Sequence, residues 1–172
     1  MFIHNIDPVI FSLGPVEVRW YGVIFAFGFV LAYVWLQHLA KRKAIDTLTP
    51  ERVESLLLWL VVGTVVGARF FEFVFWRPQV WLTDPLEVLR IWNGGMAFHG
   101  GIIGVAVVLW WFCRKYDVSF VALGDALALP AAFGLFLGRI ANFINGELPG
   151  KVSDVSWCVN FNNETDSAGD LV

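Results

Sequence analysis

The chain has 172 residues, of which 58% are hydrophobic and only 16% are charged, and its formal net charge is −3. A soluble domain is nearer half apolar and a quarter charged, so this composition excludes an ordinary soluble globular protein. The acidic balance also argues against a general nucleic-acid-binding protein, which would carry a basic stripe, and we expect no nucleic-acid partner. The composition therefore indicates a membrane protein.

Four long apolar segments are candidates for transmembrane helices. A helix needs about 20 mostly apolar residues to cross a hydrocarbon core of about 30 Å. The segments that meet this length are residues 20–39, 53–76, 96–113 and 118–144. We therefore predict an all-α polytopic membrane protein with about four transmembrane helices, with residues 1–150 as one transmembrane domain and residues 151–172 as a polar outer tail without a clear element. Pro130 in the last segment removes a backbone hydrogen bond and is expected to kink that helix.

Basic residues in the links between these helices set the predicted orientation. They concentrate after the first and third helices, at Lys41, Arg42, Lys43, Arg52, Arg114 and Lys115. The link over residues 77–95, called the outer link below, has two arginines that are offset by Asp84 and Glu87. By the positive-inside rule the two basic links are cytoplasmic. The N-terminus, the outer link and the tail then face outward.

Two short motifs predict helix starts. Within the outer link, Asp84-Pro85-Leu86-Glu87 reads as an N-cap, a proline at the first helical position and a capping-box glutamate. This short helix, with Leu86, Leu89 and Trp92, is expected to lie on the bilayer surface as an interfacial helix. Thr49-Pro50-Glu51 predicts the start of the second transmembrane helix in the same way.

Three of the helices carry glycines spaced one turn apart. The pairs are Gly63/Gly67, Gly100/Gly104 and Gly134/Gly138. Such pairs let helix backbones approach closely in a membrane, where no hydrophobic effect drives helices together. We therefore expect a compact bundle.

Ionisable groups within the apolar segments are the main candidates for a functional site. Each costs about 2.5 to 3.5 kcal/mol on insertion scales and so needs a reason to be there. They are Arg69, Glu72, His99, Asp125 and Arg139, accompanied by Asn142 near the end of the last helix and Tyr21 at the start of the first. All except Asp125 lie toward the outer face on the predicted topology. Polar groups from four helices thus meet at one depth, which predicts a site there.

Simpler interpretations exist for several of these residues. Arg69 and Glu72 lie three apart on one helix face, so they either pair with each other or bind a ligand. Asp125 is expected to cap its helix or to pair with a basic residue at the end of the third helix. Tyr21 also fits an aromatic belt at the membrane interface. His99 is favoured as functional, because it alone of the set normally titrates near neutral pH.

Arg139 is the hardest of these residues to explain by packing alone. It stays charged at any relevant pH, and its planar fork fits a phosphate with two parallel hydrogen bonds. The abundant phosphates of an outer leaflet belong to lipid headgroups. A phospholipid as ligand or substrate follows as a hypothesis.

The run GRIANFINGELPG at residues 138–150 resembles the signature of the prolipoprotein diacylglyceryl transferase family. That signature is Gly-Arg-x-Gly/Ala-Asn-Phe-x-Asn-x-Glu-x-x-Gly, and every fixed position is met. Three upstream stretches are also similar to the family: DPVIF at 7–11, RWYG at 19–22 and GGMAFHGG at 94–101. The likeness runs in order from about residue 6 to residue 151.

The resemblance implies an enzyme of the bacterial inner membrane whose active site faces the extracytoplasmic side. It would transfer the diacylglyceryl group of phosphatidylglycerol to the lipobox cysteine thiol in the signal peptide of a prolipoprotein, forming a thioether and releasing glycerol phosphate. This is the first step of bacterial lipoprotein maturation. The resemblance implies no cofactor and no metal.

The chemistry of such a transfer suggests roles for the candidate residues. A thiol needs a general base, and the leaving glycerol phosphate needs a fixed cation. We assign His99 as catalytic base or proton relay and Arg139 as the catalytic ligand of the phosphate. The predicted substrate-binding residues are Tyr21, Arg139, Asn142, Asn145, Glu147 and Gly150. Glu147 is expected to orient Arg139 or the substrate.

Two other functions stay open on the sequence. Members of the family continue with further transmembrane helices, a His-Pro-Ser-Gln stretch and a second important arginine, which these 172 residues do not contain. A non-catalytic phospholipid-binding membrane protein is therefore one alternative. The other is a transporter subunit. Transporters tend to place polar residues near the midplane between inverted repeats, whereas here the polar groups lie toward one face.

Overall fold

The structure is a computed structural model that describes residues 2–14, 16–91, 94–147, 150–151, 153 and 155–161. Three short strands come first, β1 (Phe2–His4), β2 (Val9–Leu13) and β3 (Val16–Arg19), followed by α1 (Trp20–Lys41) and α2 (Pro50–Phe71). A π-helical segment (Glu72–Trp76) extends α2, and the outer link contains α3 (Val80–Thr83) and a 3₁₀ turn (Pro85–Leu89). The long helices α4 (Phe98–Tyr116) and α5 (Phe120–Asn145) and the strand β4 (Val159–Phe161) complete the chain.

Each of the four predicted apolar segments forms a helix, and the all-α polytopic class is confirmed. Three helices are long and apolar enough to cross a membrane: Trp20–Lys41, Pro50–Trp76 and Phe120–Asn145. Helix α4 has only 19 residues and ends on Arg114 and Lys115, and it is not among these three. Its crossing therefore stays a prediction. Helix α5 continues through Pro130 as one helix of 26 residues.

The chain divides into two compact units. The first consists of Met1–Gly28 and Ala132–Val172, and the second is Phe29–Ala131. The two units are described separately below. The predicted extent of the transmembrane domain, residues 1–150, stays a prediction.

In the second unit, α2 and α4 pack backbone to backbone on their glycines. A Cβ built on Gly63 would lie 2.5 Å from Val108 Cγ2 and 3.0 Å from the Gly104 carbonyl oxygen. A Cβ built on Gly67 would lie 3.0 Å from the Gly104 Cα. Any side chain at these positions would force the helices apart. The close approach predicted for the Gly63/Gly67 and Gly100/Gly104 pairs is confirmed.

The third glycine pair belongs to the first unit and behaves differently. Among the described residues, no heavy atom lies within 4 Å of a Cβ built on Gly134 or on Gly138. A Cβ built on Gly28 of α1 would lie 3.9 Å from the Gly134 Cα, which is ordinary van der Waals contact. A tight helix contact at Gly134/Gly138 was therefore a wrong prediction for the part of the chain that the structure describes.

The hydrophobic core of the second unit lies at the end that holds both basic links. Leu36, Val53, Leu56, Phe112 and Leu123 are completely buried there. The indole Nε1 of Trp35 in α1 donates a hydrogen bond to the Ala126 carbonyl oxygen of α5 at 2.9 Å. The links themselves also meet, because the Thr47 hydroxyl donates to the Asp117 carbonyl oxygen at 2.8 Å. Both basic links thus lie at one end of this unit, as the predicted topology requires.

The two predicted helix starts have different outcomes. Thr49 is the N-cap of α2, where its hydroxyl accepts a hydrogen bond from the Arg52 backbone N–H at 3.4 Å and Pro50 opens the helix. This prediction is confirmed. Asp84 precedes the 3₁₀ turn but makes no capping hydrogen bond. Its carboxylate and that of Glu87 instead accept hydrogen bonds from Arg90 at 2.6 and 3.1 Å.

The predicted capping box in the outer link is therefore wrong. Arg90, three to six residues away, binds both carboxylates instead, and in these bonds the donor as well as the acceptor is charged. These hydrogen bonds also raise the pKa of the Arg90 guanidinium above its ordinary value. Leu86 and Leu89 are exposed, at 61% and 71%, and their contact with a bilayer surface stays a prediction. Trp92 lies outside the described residues.

The first unit contains β structure that the sequence did not predict. Strands β2 and β3 pair antiparallel around Gly14, which has a φ of +60°. Strand β1 pairs in parallel with β4, with Ile3 opposite Asn160. The tail was expected to lack a clear element, so β4 corrects that prediction. Residues 162–172 lie outside the described part of the chain.

Candidate functional site

The end of α5 is formed by the turn Asn145-Gly146-Glu147 of the signature run. Gly146 has a φ of +69°, a left-handed conformation that favours glycine. Its N–H donates to the Phe143 carbonyl oxygen at 3.1 Å, and the Glu147 N–H donates to the Asn142 carbonyl oxygen at 2.9 Å. This pair of bonds is a Schellman motif, which satisfies carbonyls at a helix C-terminus. The motif reverses the direction of the chain and holds Glu147 at the C-terminal end of α5.

The turn brings two predicted substrate-binding side chains into contact. The Asn145 amide nitrogen donates a hydrogen bond to the Glu147 carboxylate at 3.0 Å. The Asn145 amide oxygen is buried and has no hydrogen-bond partner among the described residues. Buried polar atoms usually have a partner in protein or in water. The Asn145 side chain therefore keeps one acceptor that the described protein atoms do not use.

Arg139 and Asn142 lie one helical turn apart on α5, so both project from the same side of the helix. The Arg139 side chain is exposed. It makes no ion pair with Glu147, and the residues that the structure describes offer its guanidinium no hydrogen bond. The simple alternative of a structural Arg139–Glu147 pair is thus not formed here.

Tyr21 completes this group of polar side chains in the first unit. It is half-buried near the start of α1, with its ring stacked on Phe25 at a centroid distance of 6.4 Å. The charges of Glu147 and Arg139 both act on its hydroxyl, in opposite directions. Gly150 is exposed, and a Cβ built there would meet no described atom within 4 Å. The unit thus gathers Tyr21, Arg139 and Glu147, with Asn142 and Asn145 on the adjoining helix end.

His99 belongs to the second unit, where it is the second residue of α4 and is exposed. Its ring lies 5.9 Å from that of Phe98 in an edge-on arrangement. The helix start is anchored by Ala97, whose N–H donates to the Ala68 carbonyl oxygen of α2 at 3.1 Å. The imidazole is therefore displayed on the first turn of a helix whose entry point is fixed.

Of the two alternatives for Arg69 and Glu72, a mutual ion pair is not formed. The Glu72 carboxylate lies 3.2 Å from Arg77 instead. The Arg69 guanidinium donates to backbone carbonyl oxygens of the outer link and lies over the Phe73 ring, 4.6 Å from its centroid. Sequence reasoning missed these acceptors, because backbone carbonyls leave no trace in residue types. The one available signal was the Gly94-Gly95 pair, which predicts an unusual turn.

The predicted pairing of Asp125 with Arg114 or Lys115 is also wrong. Asp125 is exposed and makes no ion pair with either residue. The two basic side chains lie over aromatic rings instead: Arg114 is 5.7 Å from the Trp110 centroid, and Lys115 is 4.8 Å from that of Trp111. Cation–π contact with a flanking tryptophan keeps each cation on its own helix.

The polar group of the first unit is suited to binding an anion that carries hydroxyls. Arg139 offers five N–H donors, while Tyr21 and the asparagine side chains both donate and accept. No cluster of three or more metal-ligating side chains occurs among the described residues. Within these residues the arrangement can hold and stabilise negative charge.

Comparison with known proteins identifies the family. Residues 8–169 match the family model for prolipoprotein diacylglyceryl transferase. The chain is 45% identical over 157 residues to the phosphatidylglycerol–prolipoprotein diacylglyceryl transferase of Pseudoalteromonas atlantica, which covers 91% of this chain and 55% of the relative. It is 44% identical over 162 residues to the enzyme of that name from Solidesulfovibrio magneticus, covering 94% of this chain and 61% of the relative. The relative from Vibrio cholerae is 43% identical over 159 residues, covering 92% and 58%.

This chain thus spans between 55% and 61% of the length of these curated relatives. The matched region runs from the start of the first hairpin, across all the long helices and past the signature run. The matches are therefore not confined to one motif. The chain belongs to the prolipoprotein diacylglyceryl transferase family.

Proposed function

We propose that the protein to which this chain belongs transfers the diacylglyceryl group of phosphatidylglycerol to the lipobox cysteine of prolipoproteins. The observation that carries the proposal is Arg139, an exposed guanidinium on an apolar helix to which the described residues offer no hydrogen bond. Membership of the family and the names of the relatives supply the reaction class. A phospholipid headgroup offers the phosphate that such an arginine fits.

In the proposed reaction the bonds form and break in the two substrates, and His99 and Arg139 assist. The cysteine sulfur forms a bond to the glyceryl carbon that bears the phosphate ester, and the bond from that carbon to the ester oxygen breaks. The electron pair leaves with glycerol phosphate, and the thiol proton passes to the His99 imidazole. Arg139 stabilises the charge that develops on the leaving phosphate. Tyr21, Asn142, Asn145, Glu147 and Gly150 bind the headgroup around that phosphate.

The placement in the cell follows from the same proposal. The protein is a multi-pass protein of the bacterial inner membrane, with its N-terminus, the outer link and the signature run on the extracytoplasmic side. The two basic links meet at one end of the second unit and support this orientation, because cytoplasmic loops carry an excess of Lys and Arg. The two substrates are phosphatidylglycerol and the signal peptide of a prolipoprotein.

The experiment is transfer from phosphatidylglycerol to a lipobox peptide, detected as the mass increase of the peptide. It uses this chain and, in parallel, the Pseudoalteromonas atlantica relative with the matching residue changed. We expect Arg139→Lys to be severely impaired and Arg139→Gln to be worse, because the fork geometry matters as well as the charge. A charge-assisted hydrogen bond is worth roughly 1.5 to 3 kcal/mol, so we expect about a tenfold to hundredfold loss in rate.

Two further variants separate a phosphate ligand from a structural arginine. Arg19→Gln is the matched control, since Arg19 is an exposed arginine of the same unit whose ion pair with Glu17, at 2.7 Å, is on the surface. It should transfer normally. In Arg139→Gln/Glu147→Gln a purely structural pair would be removed as a whole, and activity would largely return. Near-normal transfer by that double variant would refute the role of Arg139, and binding of phosphatidylglycerol without any transfer would favour a non-catalytic lipid-binding protein.

A further inference from the structure

Arg69 lies in the last turn of α2, directly after the apolar stretch of that helix, and only 3% of its surface is exposed. Its guanidinium donates to five backbone carbonyl oxygens of the outer link, those of Glu87, Val88, Arg90, Gly94 and Gly95. One bond comes from Nε, two from Nη1 and two from Nη2. A guanidinium has five N–H donors in all. Every donor of Arg69 is therefore used within the protein, and none is left for a ligand.

The outer link is shaped to receive this side chain. Gly94 and Gly95 have φ values of +75° and +76°, a conformation that other residues adopt only with strain. A Cβ built on Gly95 would lie 3.3 Å from Arg69 Nη1. The two glycines thus let consecutive carbonyl groups turn toward one guanidinium. The link is thus held by a charged side chain in addition to the backbone hydrogen bonds of its own short helical turns.

The same stretch of α2 also fixes the start of α4. Ala68, the neighbour of Arg69, accepts a hydrogen bond from the N–H of Ala97, the residue that precedes the first turn of α4. One residue beyond His99, a Cβ built on Gly100 would lie 2.5 Å from the Phe71 Cβ. His99 therefore lies between Ala97 and Gly100, which both contact α2. Arg69 binds the outer link, the segment that precedes them.

We propose that Arg69 is a positioning residue for His99. By binding the carbonyl groups of the outer link, it sets the direction in which the chain enters α4 and so the place of the imidazole. The inference rests on the proposed function only for the part that His99 plays in the reaction. A lysine cannot replace Arg69, because an ammonium has three donors without the planar fork.

The three histidines of the chain allow a direct test. Imidazole nitrogen resonances of His4, His38 and His99 would be recorded in detergent micelles for the native chain, Arg69→Gln, Arg69→Lys and Gly95→Ala. We expect the His99 resonance to shift or split in all three variants, while those of His4 and His38 stay unchanged. Gly95→Ala keeps Arg69 and disturbs the turn that receives it, where the added Cβ would also meet the Arg77 guanidinium. The test therefore stands even where an Arg69 variant fails to fold.

Arg90→Gln is the matched control, because it removes an arginine from the same link but leaves every carbonyl that Arg69 binds. The Arg90 ion pairs are exposed, at 39% for its side chain, and we expect all three histidine resonances to stay in place. In the transfer assay with the full-length relative, Arg69→Lys should lower kcat at nearly constant KM for lipid. A displacement of about 1 Å at a reacting group can cost about 100-fold in rate.

The result that would overturn the inference is a His99 resonance that is unchanged in every Arg69 and Gly95 variant. Equal disturbance of all three histidines would overturn it too, since that is the mark of a general loss of structure. If the Arg69 variants displace the His99 resonance but the unsubstituted protein transfers no lipid, the positioning role of Arg69 stands and the proposed function is refuted. The two failures are thus distinguishable.

Discussion

Replacement of Gly104 by alanine tests the helix contact on which the second unit depends. A Cβ built on Gly104 would lie 2.8 Å from the Gly63 carbonyl carbon and 3.3 Å from the Gly67 Cα, and it would also overlap the Gly63 carbonyl oxygen. All three atoms are backbone, so no side chain can rotate away. The helices must separate, and overpacking of this kind typically costs about 1 to 3 kcal/mol.

The intrinsic helix preference works in the opposite direction. Alanine is favoured over glycine in a helix by about 0.5 to 1 kcal/mol. Gly124 of α5 is the matched control, because a Cβ built there would meet no described atom within 4 Å. We therefore expect Gly124→Ala to be neutral or slightly stabilising and Gly104→Ala to be destabilising. Thermal unfolding of both variants in the same detergent, followed by circular dichroism, measures the difference. Equal midpoints for the two variants would refute the close contact of α2 and α4.

Three further predictions concern other parts of the structure. Thr49→Ala removes the N-cap of α2 and should lower the free energy of unfolding by about 0.5 to 2 kcal/mol in a detergent denaturation series, whereas Thr49→Ser should not. Trp35→Phe removes the hydrogen bond to the Ala126 carbonyl oxygen and should cost about 0.6 kcal/mol in the same assay; no change would mean that the contact is absent in micelles. A cysteine placed at Gln79 should react with an impermeant reagent on intact spheroplasts and one at Lys43 should not, and labelling at Lys43 alone would overturn the proposed topology.

Features of the fold that follow from local pattern were predictable. The long helices were visible because each needs an uninterrupted apolar stretch, and the N-cap of α2 was visible because Thr49 and Pro50 satisfy a local geometric rule. The contact between α2 and α4 was predictable from two glycine pairs, since glycine has few other reasons to recur at that spacing within an apolar helix. The identical spacing at Gly134 and Gly138 shows that the pattern permits a close approach without producing one.

Features that depend on the choice among several partners were not predictable. Asp84 fits the capping rule, yet Arg90 binds its carboxylate. This could not be predicted, because the sequence does not show which charged side chain lies within reach. Asp125 was assigned a basic partner, but both candidate cations lie over tryptophan rings. The parallel pairing of β1 with β4 joins residues 2–4 to residues 159–161. No local signal specifies a contact over that distance along the chain.

In the candidate site, too, the types of the side chains were predictable from the sequence and their hydrogen-bond partners were not. The signature run identified Arg139, Asn142, Asn145 and Glu147 by type, and the Schellman motif at Gly146 explains why a glycine must stand between the last two. The hydrogen bond from Asn145 to Glu147 was not foreseen, since Glu147 was expected to orient Arg139 or the substrate. Arg139 thereby loses the partner that would have explained it as a structural residue.

The two intramembrane arginines show why residue type alone could not separate structure from function. Each incurs a similar cost on insertion, about 2.5 to 3.5 kcal/mol, and each must recover it through hydrogen bonds or water. Arg69 recovers it within the chain, through five carbonyl groups that the outer link turns toward it. Arg139 is exposed, and the described residues provide it with no such acceptor. A free cation of this kind would be compensated by an anionic group that comes from outside the described protein. This contrast is why we propose the phosphate of a lipid substrate for Arg139 and a positioning role for Arg69.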